Sequence, residues 1–289
     1  MVSDATFPRR TAQDPTESHD AILQPPWGSL GRDVAVGLAI ATGKLVYGFL
    51  NSSSVINLSH VRPVFEREPG QGLITFCNHT STVDDPFVTS TFVPIRWGMN
   101  ESSHKRVRWT LCAEEICHGH PFLRDFFLTG KTLPVARGKG VDQPTLNVLA
   151  HRLGKGDWIH IFPEGKVNPD PQNLLPFKWG IGKLACDAVA QQAAQSGGGD
   201  QNVKYPLVVP FHHIGADKVL PDDGSFIPTV GNTVSVLWGE PVPLDDLLQQ
   251  CARCTSKEER HALWKAITSR AEERLRALQK QHRESLQRQ

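Results

Sequence analysis

The side chains best suited to catalysis in this sequence are a histidine and an aspartate five residues apart, His79 and Asp84. The apolar run 73–77 before them predicts a strand, and Asp85-Pro86 predicts the N-cap and first-turn proline of a helix. On one continuous helix the two side chains would lie about 140° apart and out of contact, so we expect both on the turn between strand and helix. There the carboxylate would accept the Nδ1 proton of the imidazole and leave Nε2 as a general base.

A second polar cluster follows another predicted strand, 158–162. It reads Phe162-Pro163-Glu164-Gly165-Lys166-Val167-Asn168. A carboxylate, an ammonium, a glycine and an amide at one strand end suit a polyhydroxy or phosphate headgroup. A surface turn would explain Lys166 and Asn168 equally well, but it explains Glu164-Gly165 less easily. Chance often produces the spacing of the first pair alone, and the second cluster favours a functional site.

The segments that must position these residues alternate between short apolar runs and longer amphipathic stretches. The apolar runs are rich in β-branched and aromatic residues, which predicts buried strands over 73–77, 109–113, 133–135, 158–162, 207–211 and 233–238. Helices are predicted over 86–93, 121–128, 142–153 and 178–195. The expected fold is α/β, a mixed central β-sheet flanked by helices. Ligands in such sheets usually bind at strand-to-helix turns.

Composition excludes some classes of function. The 289 residues include 31 Lys or Arg and 30 Asp or Glu, and a net charge of +1 gives no reason to expect a nucleic-acid surface. Six cysteines without regular spacing indicate free thiols of a reducing or mixed compartment. Cys251 and Cys254 have no second pair to complete a zinc or redox site, so no metal is predicted.

The two ends of the chain differ in character. Residues 1–27 mix basic and acidic side chains with prolines, which is typical of neither a signal nor a transit peptide and predicts a mobile tail. From Ser256 onward, apolar residues recur every three or four positions, which predicts an amphipathic helix packed on the core within 246–289. The α/β domain is expected over 59–245.

Residues 34–50 form an apolar segment in which Lys44 is the only charge, and they belong to a helical region predicted over 28–58. Seventeen helical residues extend about 25 Å, less than the bilayer core. The segment either dips into one leaflet, with Lys44 reaching the headgroups, or is an ordinary buried helix. In the membrane interpretation, the lipid-facing side chains are Trp27, Val34, Leu38, Leu45, Tyr47 and Phe49.

Three boxes of this sequence resemble the glycerophospholipid acyltransferase family. They are the H-x-x-x-x-D box from His79 to Asp84, the F-P-E-G box from Phe162 to Gly165, and the run 130–138, in which Arg137 takes the position of an arginine thought to hold glycerol phosphate. The Lys166-Val167-Asn168 continuation and the run 177–184 are similar to a branch of the family that transfers acyl chains between phospholipids. The coenzyme A-dependent members tend to continue the F-P-E-G box with Thr-Arg-Ser.

The resemblance implies a substrate class, a location and a set of binding residues. It implies exchange of acyl chains between phospholipids and lysophospholipids, with cardiolipin, monolysocardiolipin and phosphatidylcholine as partners and no cofactor. It also implies monotopic or peripheral attachment to the mitochondrial inner and outer membranes, facing the intermembrane space. These lipid partners favour the membrane interpretation of 34–50. Arg137, Glu164, Gly165, Lys166 and Asn168 are the substrate-binding residues implied.

The mechanism expected from these residues is direct attack. No G-x-S-x-G elbow is present, so His79 would deprotonate a lysolipid hydroxyl that attacks the donor ester without an acyl-enzyme. Three alternatives remain: a coenzyme A-dependent acyltransferase, a lipid-binding protein without turnover, and a metal hydrolase using His118 and His120 or His212 and His213. The last lacks the usual helical spacing of metal-binding histidines. The oligomeric state stays open.

Overall fold

The computed structural model describes residues 23–82, 84–94, 106–196, 203–221 and 227–288. Most of the predicted mobile tail, 1–22, and the triple glycine 197–199 lie outside these residues.

A mixed sheet forms the centre of the molecule, as predicted. Its strands are β1 Ser52–Ile56, β2 Leu73–Phe76, β3 Thr110–Ala113, β4 Thr132–Val135, β5 Trp158–Ile161, β6 Leu207–Ile214 and β7 Thr233–Trp238. Five of them pair in the order β1-β7-β6-β2-β5, and only β6 and β7 are antiparallel. The parallel pair β3 and β4 continues the sheet beside β5 through a bridge between Trp109 and Ile159. The sequence did not predict β1, because its serines give no apolar run.

Helices cover both faces of this sheet. They are α1 Gly28–Lys44, α2 Leu58–Phe65, α3 Asp84–Ser90, α4 Glu114–Cys117, α5 Pro121–Thr129, α6 Pro144–Gly154, α7 Gly180–Gln195, α8 Ala216–Val219, α9 Asp245–Arg253 and α10 Lys257–Gln287. The four helices predicted between the strands are present as α3, α5, α6 and α7. The predicted C-terminal helix is α10, and its apolar positions are buried: Leu263, Ile267, Ala271, Leu275 and Leu278.

The alternation of each strand divides the core in two, because successive side chains point to opposite faces. Ile74 and Ile159 belong to the core under α6, α7, α9 and α10. Leu73, Trp158 and Phe211 belong to the core under α1 and α2. The position of a residue along its strand therefore determines which of the two cores its side chain enters. The same alternation continues into the turns that carry the polar residues.

The N-terminal helix has one buried and one exposed side. With a π-helical turn, Leu45–Leu50, it runs for 23 residues from Gly28 to Leu50, long and apolar enough to cross a membrane by length and composition alone. Five of the predicted lipid-facing side chains are exposed, by 39–80%: Trp27, Val34, Leu38, Leu45 and Phe49. Lys44 donates to the Ser90 carbonyl, with 2.9 Å between Nζ and the oxygen.

The prediction that Tyr47 faces lipid is wrong, because its side chain is fully buried. Tyr47 follows Leu38 by nine residues, which places it about 180° around an α-helix from the exposed stripe. Helical periodicity therefore points Tyr47 at the sheet, where it packs in the same core as Trp158.

The prediction of free thiols is wrong for four of the six cysteines. Disulfides join Cys112 to Cys117 and Cys186 to Cys251. Cys186 on α7 and Cys251 on α9 have Cα atoms 5.2 Å apart although 65 residues separate them in the chain. Only the packing of the two helices brings them together, so their spacing in the sequence carried no signal.

Candidate active site

The polar residues singled out in the sequence meet at one edge of the sheet. Strands β2, β5 and β6 are parallel neighbours, so their carboxyl ends lie side by side. Counting in twos along each strand places His79, Phe162 and His213 on the same face as Leu73, Trp158 and Phe211. That face is the one covered by α1. The turn after β2 therefore sets His79 between the ends of the two neighbouring strands.

His79 and Asp84 form the hydrogen-bonded pair expected from their spacing. Nδ1 of His79 lies 3.1 Å from Oδ2 of Asp84. The aspartate side chain has no exposed surface, whereas 17% of the histidine side chain is exposed. Among the described residues none forms a hydrogen bond with Nε2 of His79. One ring nitrogen therefore bonds a buried carboxylate, and the other is available to a ligand.

The local backbone holds the Asp84 carboxylate in place. Its Oδ2 also accepts the amides of Thr80 and Ser81, at 2.7 and 2.9 Å. Burial opposes ionisation, but the neighbouring imidazole of His213, the hydrogen bond from His79 and the Ser81 amide together hold the pKa of Asp84 below its ordinary value. An ionised Asp84 fixes the proton of His79 on Nδ1 and stabilises the imidazolium that forms when Nε2 takes a proton.

Phe162 packs flat on the imidazole of His79. The ring centroids are 4.0 Å apart and the planes are inclined by 18°. The aromatic ring fixes the orientation of the imidazole and excludes water from one of its faces. The sequence placed Phe162 in its box but assigned it no role. Period-two alternation along β5 was the signal that could have found the stacking.

Glu164 bonds to the protein, and this differs from the predicted contact with substrate. It is only 2% exposed. Its Oε1 accepts the amide of His79 at 2.9 Å, and its Oε2 accepts the Asn168 side chain and the Leu175 amide, both at 2.8 Å. A buried carboxylate that accepts three hydrogen bonds from the protein has a structural role. Glu164 orders the turn that carries His79.

Asn168 and Gly165 are also committed to the protein and not available to a substrate. The Asn168 side chain donates to Glu164 and to the Asn173 carbonyl, and its Oδ1 accepts the Asp170 amide. Its own amide donates to the His79 carbonyl at 2.7 Å. Gly165 adopts a φ of 73°, which glycine tolerates best. Its amide donates to the Phe162 carbonyl, so that amide is not free to stabilise an oxyanion.

Two predicted cations stay accessible. The Lys166 side chain is exposed. Arg137 is 48% exposed and pairs with the equally exposed Glu115 at 3.3 Å. Arg137 follows β4, three strands along the same edge from β2 and roughly 14 Å away at ordinary strand spacing. Both cations can therefore reach anionic groups bound along this edge, on the side away from His213.

Three of the four histidines considered as metal ligands form hydrogen bonds within the protein. His120 caps α5 by accepting the Phe122 amide. His212 bonds His282 on α10, with 2.9 Å between their Nδ1 atoms. His213 lies beside Asp84 at the back of the active site, a position that the sequence did not predict because it depends on the pairing of β6 with β2.

Helix α10 forms hydrogen bonds with the loop 169–175, which lies beside the turn that carries His79. Arg283 donates to the carbonyls of Pro171 and Gln172, at 2.8 and 2.6 Å. Arg276 donates to the Leu174 carbonyl at 3.3 Å. These bonds brace the loop 169–175 from outside, while Glu164 ties it from inside.

Replacing Arg276 and Arg283 together with alanine is expected to loosen this loop. Each hydrogen bond contributes about 0.5–1.5 kcal/mol, so the amides of Asn168 and Leu175 should exchange hydrogen roughly tenfold faster or more. Hydrogen–deuterium exchange measured by mass spectrometry tests this. The control is Arg274→Ala, which removes an exposed arginine of the same helix. Equal exchange in the double variant and the control would contradict the bracing role.

Comparison with known proteins places this arrangement among the acyltransferases. Residues 54–212 match the Acyltransferase family model. The chain is 32% identical to N-acylphosphatidylethanolamine synthase of Arabidopsis thaliana, over 75% of this chain and 72% of that protein. It is 32% identical to tafazzin of Drosophila melanogaster, over 83% of this chain and 60% of that one. It is 35% identical to the tafazzin of Dictyostelium discoideum, over 62% and 57%. The chain thus spans 57–72% of the length of these relatives.

Proposed function

This chain belongs to the glycerophospholipid acyltransferase family, and from that premise we propose that it is a phospholipid–lysophospholipid transacylase of the tafazzin type. The proposed reaction moves an acyl chain from a donor such as phosphatidylcholine to monolysocardiolipin, without coenzyme A, as in cardiolipin remodelling. The observation that carries the proposal is the His79–Asp84 pair, in which a buried carboxylate orients an imidazole whose second nitrogen is free for a substrate. Likeness to two tafazzins supports the choice within the family.

The reaction proposed needs one proton carrier. Nε2 of His79 takes the proton of the lysolipid hydroxyl as that oxygen attacks the acyl carbonyl of the donor ester. The tetrahedral intermediate collapses by breaking the donor ester bond, and the imidazolium returns the proton to the departing alkoxide. The products are the acylated acceptor and a new lysolipid. Asp84 stabilises the imidazolium between these steps.

A covalent acyl-enzyme is disfavoured by the surroundings of the candidate nucleophiles. The Ser81 side chain is fully buried and donates to the Leu220 carbonyl at 2.8 Å. The Cys77 thiol is buried too, and burial raises its pKa well above the ordinary value, which keeps it protonated. Neither group can reach a lipid ester, so direct attack by the acceptor is the simpler route.

Substrate phosphates would lie along the exposed cations of the same edge. We assign this role to Arg137 and Lys166, because both are exposed. Glu115, which pairs with Arg137, would have to release or share it when a phosphate binds. Arg137 and Lys166 lie on the β5 side of His79, so the headgroup would bind on that side. The acyl chains would then extend toward α1.

A second acceptor is favoured by one relative. The Arabidopsis thaliana protein is named as an N-acylphosphatidylethanolamine synthase, and the same base could take one proton from the free amine of phosphatidylethanolamine as it attacks and pass that proton to the departing alkoxide. The attacking atom would then be nitrogen and the product an amide. The acceptor chemistry, hydroxyl or amine, is therefore a question that the test must separate.

The exposed stripe of the N-terminal helix is the membrane contact in this proposal. Trp27, Val34, Leu38, Leu45 and Phe49 are apolar and lie along one side of it. The active-site turn lies on the face of the sheet that this helix covers, so lipid bound at the stripe reaches His79 without leaving the interface. We place the protein monotopically on mitochondrial membranes facing the intermembrane space. Its two disulfides suit an oxidising compartment.

Replacing Leu38 and Phe49 together with glutamate is expected to weaken vesicle binding at least tenfold. Burying a large apolar side chain contributes about 1.5–3 kcal/mol, and both side chains are more than half exposed, so folding should be kept. Co-sedimentation with vesicles of phosphatidylcholine and cardiolipin measures the change. Ala277→Glu, which adds charge on the outer side of α10, should bind as the parent protein does. Unchanged binding of the double variant would place the membrane contact elsewhere.

The test of the function is a reconstitution without coenzyme A. Purified protein is mixed with vesicles containing monolysocardiolipin, phosphatidylethanolamine and phosphatidylcholine labelled in its acyl chain. Mass spectrometry then follows the label. We expect labelled cardiolipin and an equal amount of lysophosphatidylcholine to accumulate, and no product with the His79→Gln variant.

Each other outcome rejects a part of the proposal. Label in an N-acylated phosphatidylethanolamine would assign the amine as acceptor. Transfer that requires added acyl-coenzyme A would identify the thioester-dependent alternative. Absence of any transfer, with vesicle binding intact, would identify a lipid-binding protein without turnover.

A further inference from the structure

The side of the active site away from solvent is closed by His213, near the end of β6. Its side chain has no exposed surface. Its Nε2 lies 2.9 Å from the carbonyl oxygen of Asn78 and 3.5 Å from Oδ2 of Asp84. The latter oxygen is the one that accepts the hydrogen bond of His79. Two imidazoles therefore converge on one carboxylate oxygen.

The hydrogen bond to Asn78 shows which ring nitrogen of His213 carries the proton. The Asn78 carbonyl can only accept, so the proton of His213 is on Nε2. Nδ1 of His213 is buried and has no hydrogen-bond partner within the described part of the chain. His213 thus presents one N–H to the Asn78 carbonyl and, at a longer distance, to Asp84.

Asn78 connects His213 to the catalytic turn. The Asn78 side chain donates to the His213 carbonyl and accepts the His213 amide, both at 3.0 Å. With the imidazole bond, three hydrogen bonds link the two residues across 135 positions of the sequence. Asn78 directly precedes His79, so these bonds fix the backbone from which the imidazole of His79 projects.

We propose that His213 is a positioning residue for the His79–Asp84 pair: it locks Asn78 at the start of the turn and places its Nε2–H group 3.5 Å from Oδ2 of Asp84. The proposal rests on the proposed function for its kinetic consequence. The dipole of this nearby N–H group stabilises the charge on Oδ2 and makes the carboxylate a weaker acceptor from His79. It thereby limits how strongly the imidazolium is stabilised and lets the proton leave again for the departing alkoxide.

Other ionisable groups lie within electrostatic range of Asp84 or His213, and they belong to every element packed around the pair. They are Tyr47, Cys77, His79, His160, His212 and His282. Burial lowers the pKa of His160 and of His282 to about 4, so both are neutral where the reaction would run. Of these groups, only His79 bonds the carboxylate of Asp84.

The test compares His213 with its neighbour in the same strand. His212 is equally buried but points to the opposite face and bonds His282. We expect His213→Leu to lower kcat by about tenfold or more, the effect of leaving the buried Asn78 carbonyl without its donor, with KM changed less than kcat. The acid limb of the rate profile should move to higher pH, because Asp84 without the neighbouring N–H of His213 holds the imidazolium more tightly. His212→Leu should leave both unchanged, and His213→Gln, whose amide can donate to Asn78, should restore much of kcat.

Two results would overturn the proposal. One is a folded His213→Leu protein with the parent kcat and acid limb, and the other is an equal loss in His212→Leu. If the leucine variant does not fold, His213→Gln is compared with the parent by NMR. The proton between His79 and Asp84 must then shift in its resonance, whereas His212→Gln must leave it unmoved. This resonance needs no turnover, so a protein without transacylase activity would reject the proposed function and still test the role of His213.

Discussion

Replacing His79 with glutamine is expected to lower the rate of acyl transfer by about 10²–10⁴-fold, the usual contribution of a positioned general base. Glutamine is polar, of similar length and can still donate to Asp84, but its amide cannot take a proton at neutral pH. The attacking hydroxyl would then lose its base and the departing alkoxide its acid. Initial rates of label transfer between phospholipids in vesicles measure the loss.

The control for this change is His118→Gln, at the end of α4, which should transfer acyl chains at the parent rate. The thermal midpoint should move little in His79→Gln, because the lost ring is partly exposed and bonds only Asp84 among the described residues. A folded His79→Gln protein that keeps a tenth or more of the parent rate would show that another group is the base.

Replacing Asp84 with asparagine is expected to have the second-largest effect, again about 10²–10⁴-fold, by analogy with the orienting acid of serine-hydrolase triads. The amide oxygen can still accept the amides of Thr80 and Ser81, so the turn should be kept. The imidazolium, however, loses its counter-charge. The acid limb of the rate profile should therefore move to lower pH, opposite to the shift expected for His213→Leu.

Coupling between the two residues distinguishes a catalytic pair from two independent contributions. If Asp84 acts only through His79, the double variant with His79→Gln and Asp84→Asn should be no slower than the slower single variant. Asp217→Asn is the matched control, since it removes a negative charge that acts on the same Tyr47 without contacting His79. Additive losses in the double variant would contradict the proposed division of roles.

The placement of the His79–Asp84 pair could be predicted because it depends on local rules. A strand ending before Asn78 and a helix starting near Pro86 leave only a turn for residues five apart. The structure has this turn, with Asp84 at the first position of α3 and a non-helical φ of –113° at Asp85. The sheet class followed likewise from apolar runs with turn residues at their ends.

Other assignments failed because they needed distances that a sequence does not contain. Glu164 and Asn168 have the chemistry of headgroup ligands, yet their side chains bond within the protein. The C-terminal helix was predicted only to pack on the core, yet Arg276 and Arg283 on α10 brace the loop beside His79. Tyr47 is different, since its burial follows from helical periodicity that the prediction did not apply.

The sequence by itself determined the alternation that sorts side chains between two cores, the turn that joins His79 to Asp84, and the motifs of the acyltransferase family. These are properties of neighbouring residues, and strand period, helix period and capping chemistry suffice to express them. Tertiary structure alone decided that His213 lies 3.5 Å from Asp84 and that Cys186 meets Cys251. Such contacts depend on the order in which β6, β2 and β5 pair and on how α7 and α9 pack. That order is set by the burial of the whole core, because residues 65 or 135 positions apart meet only after the chain has folded.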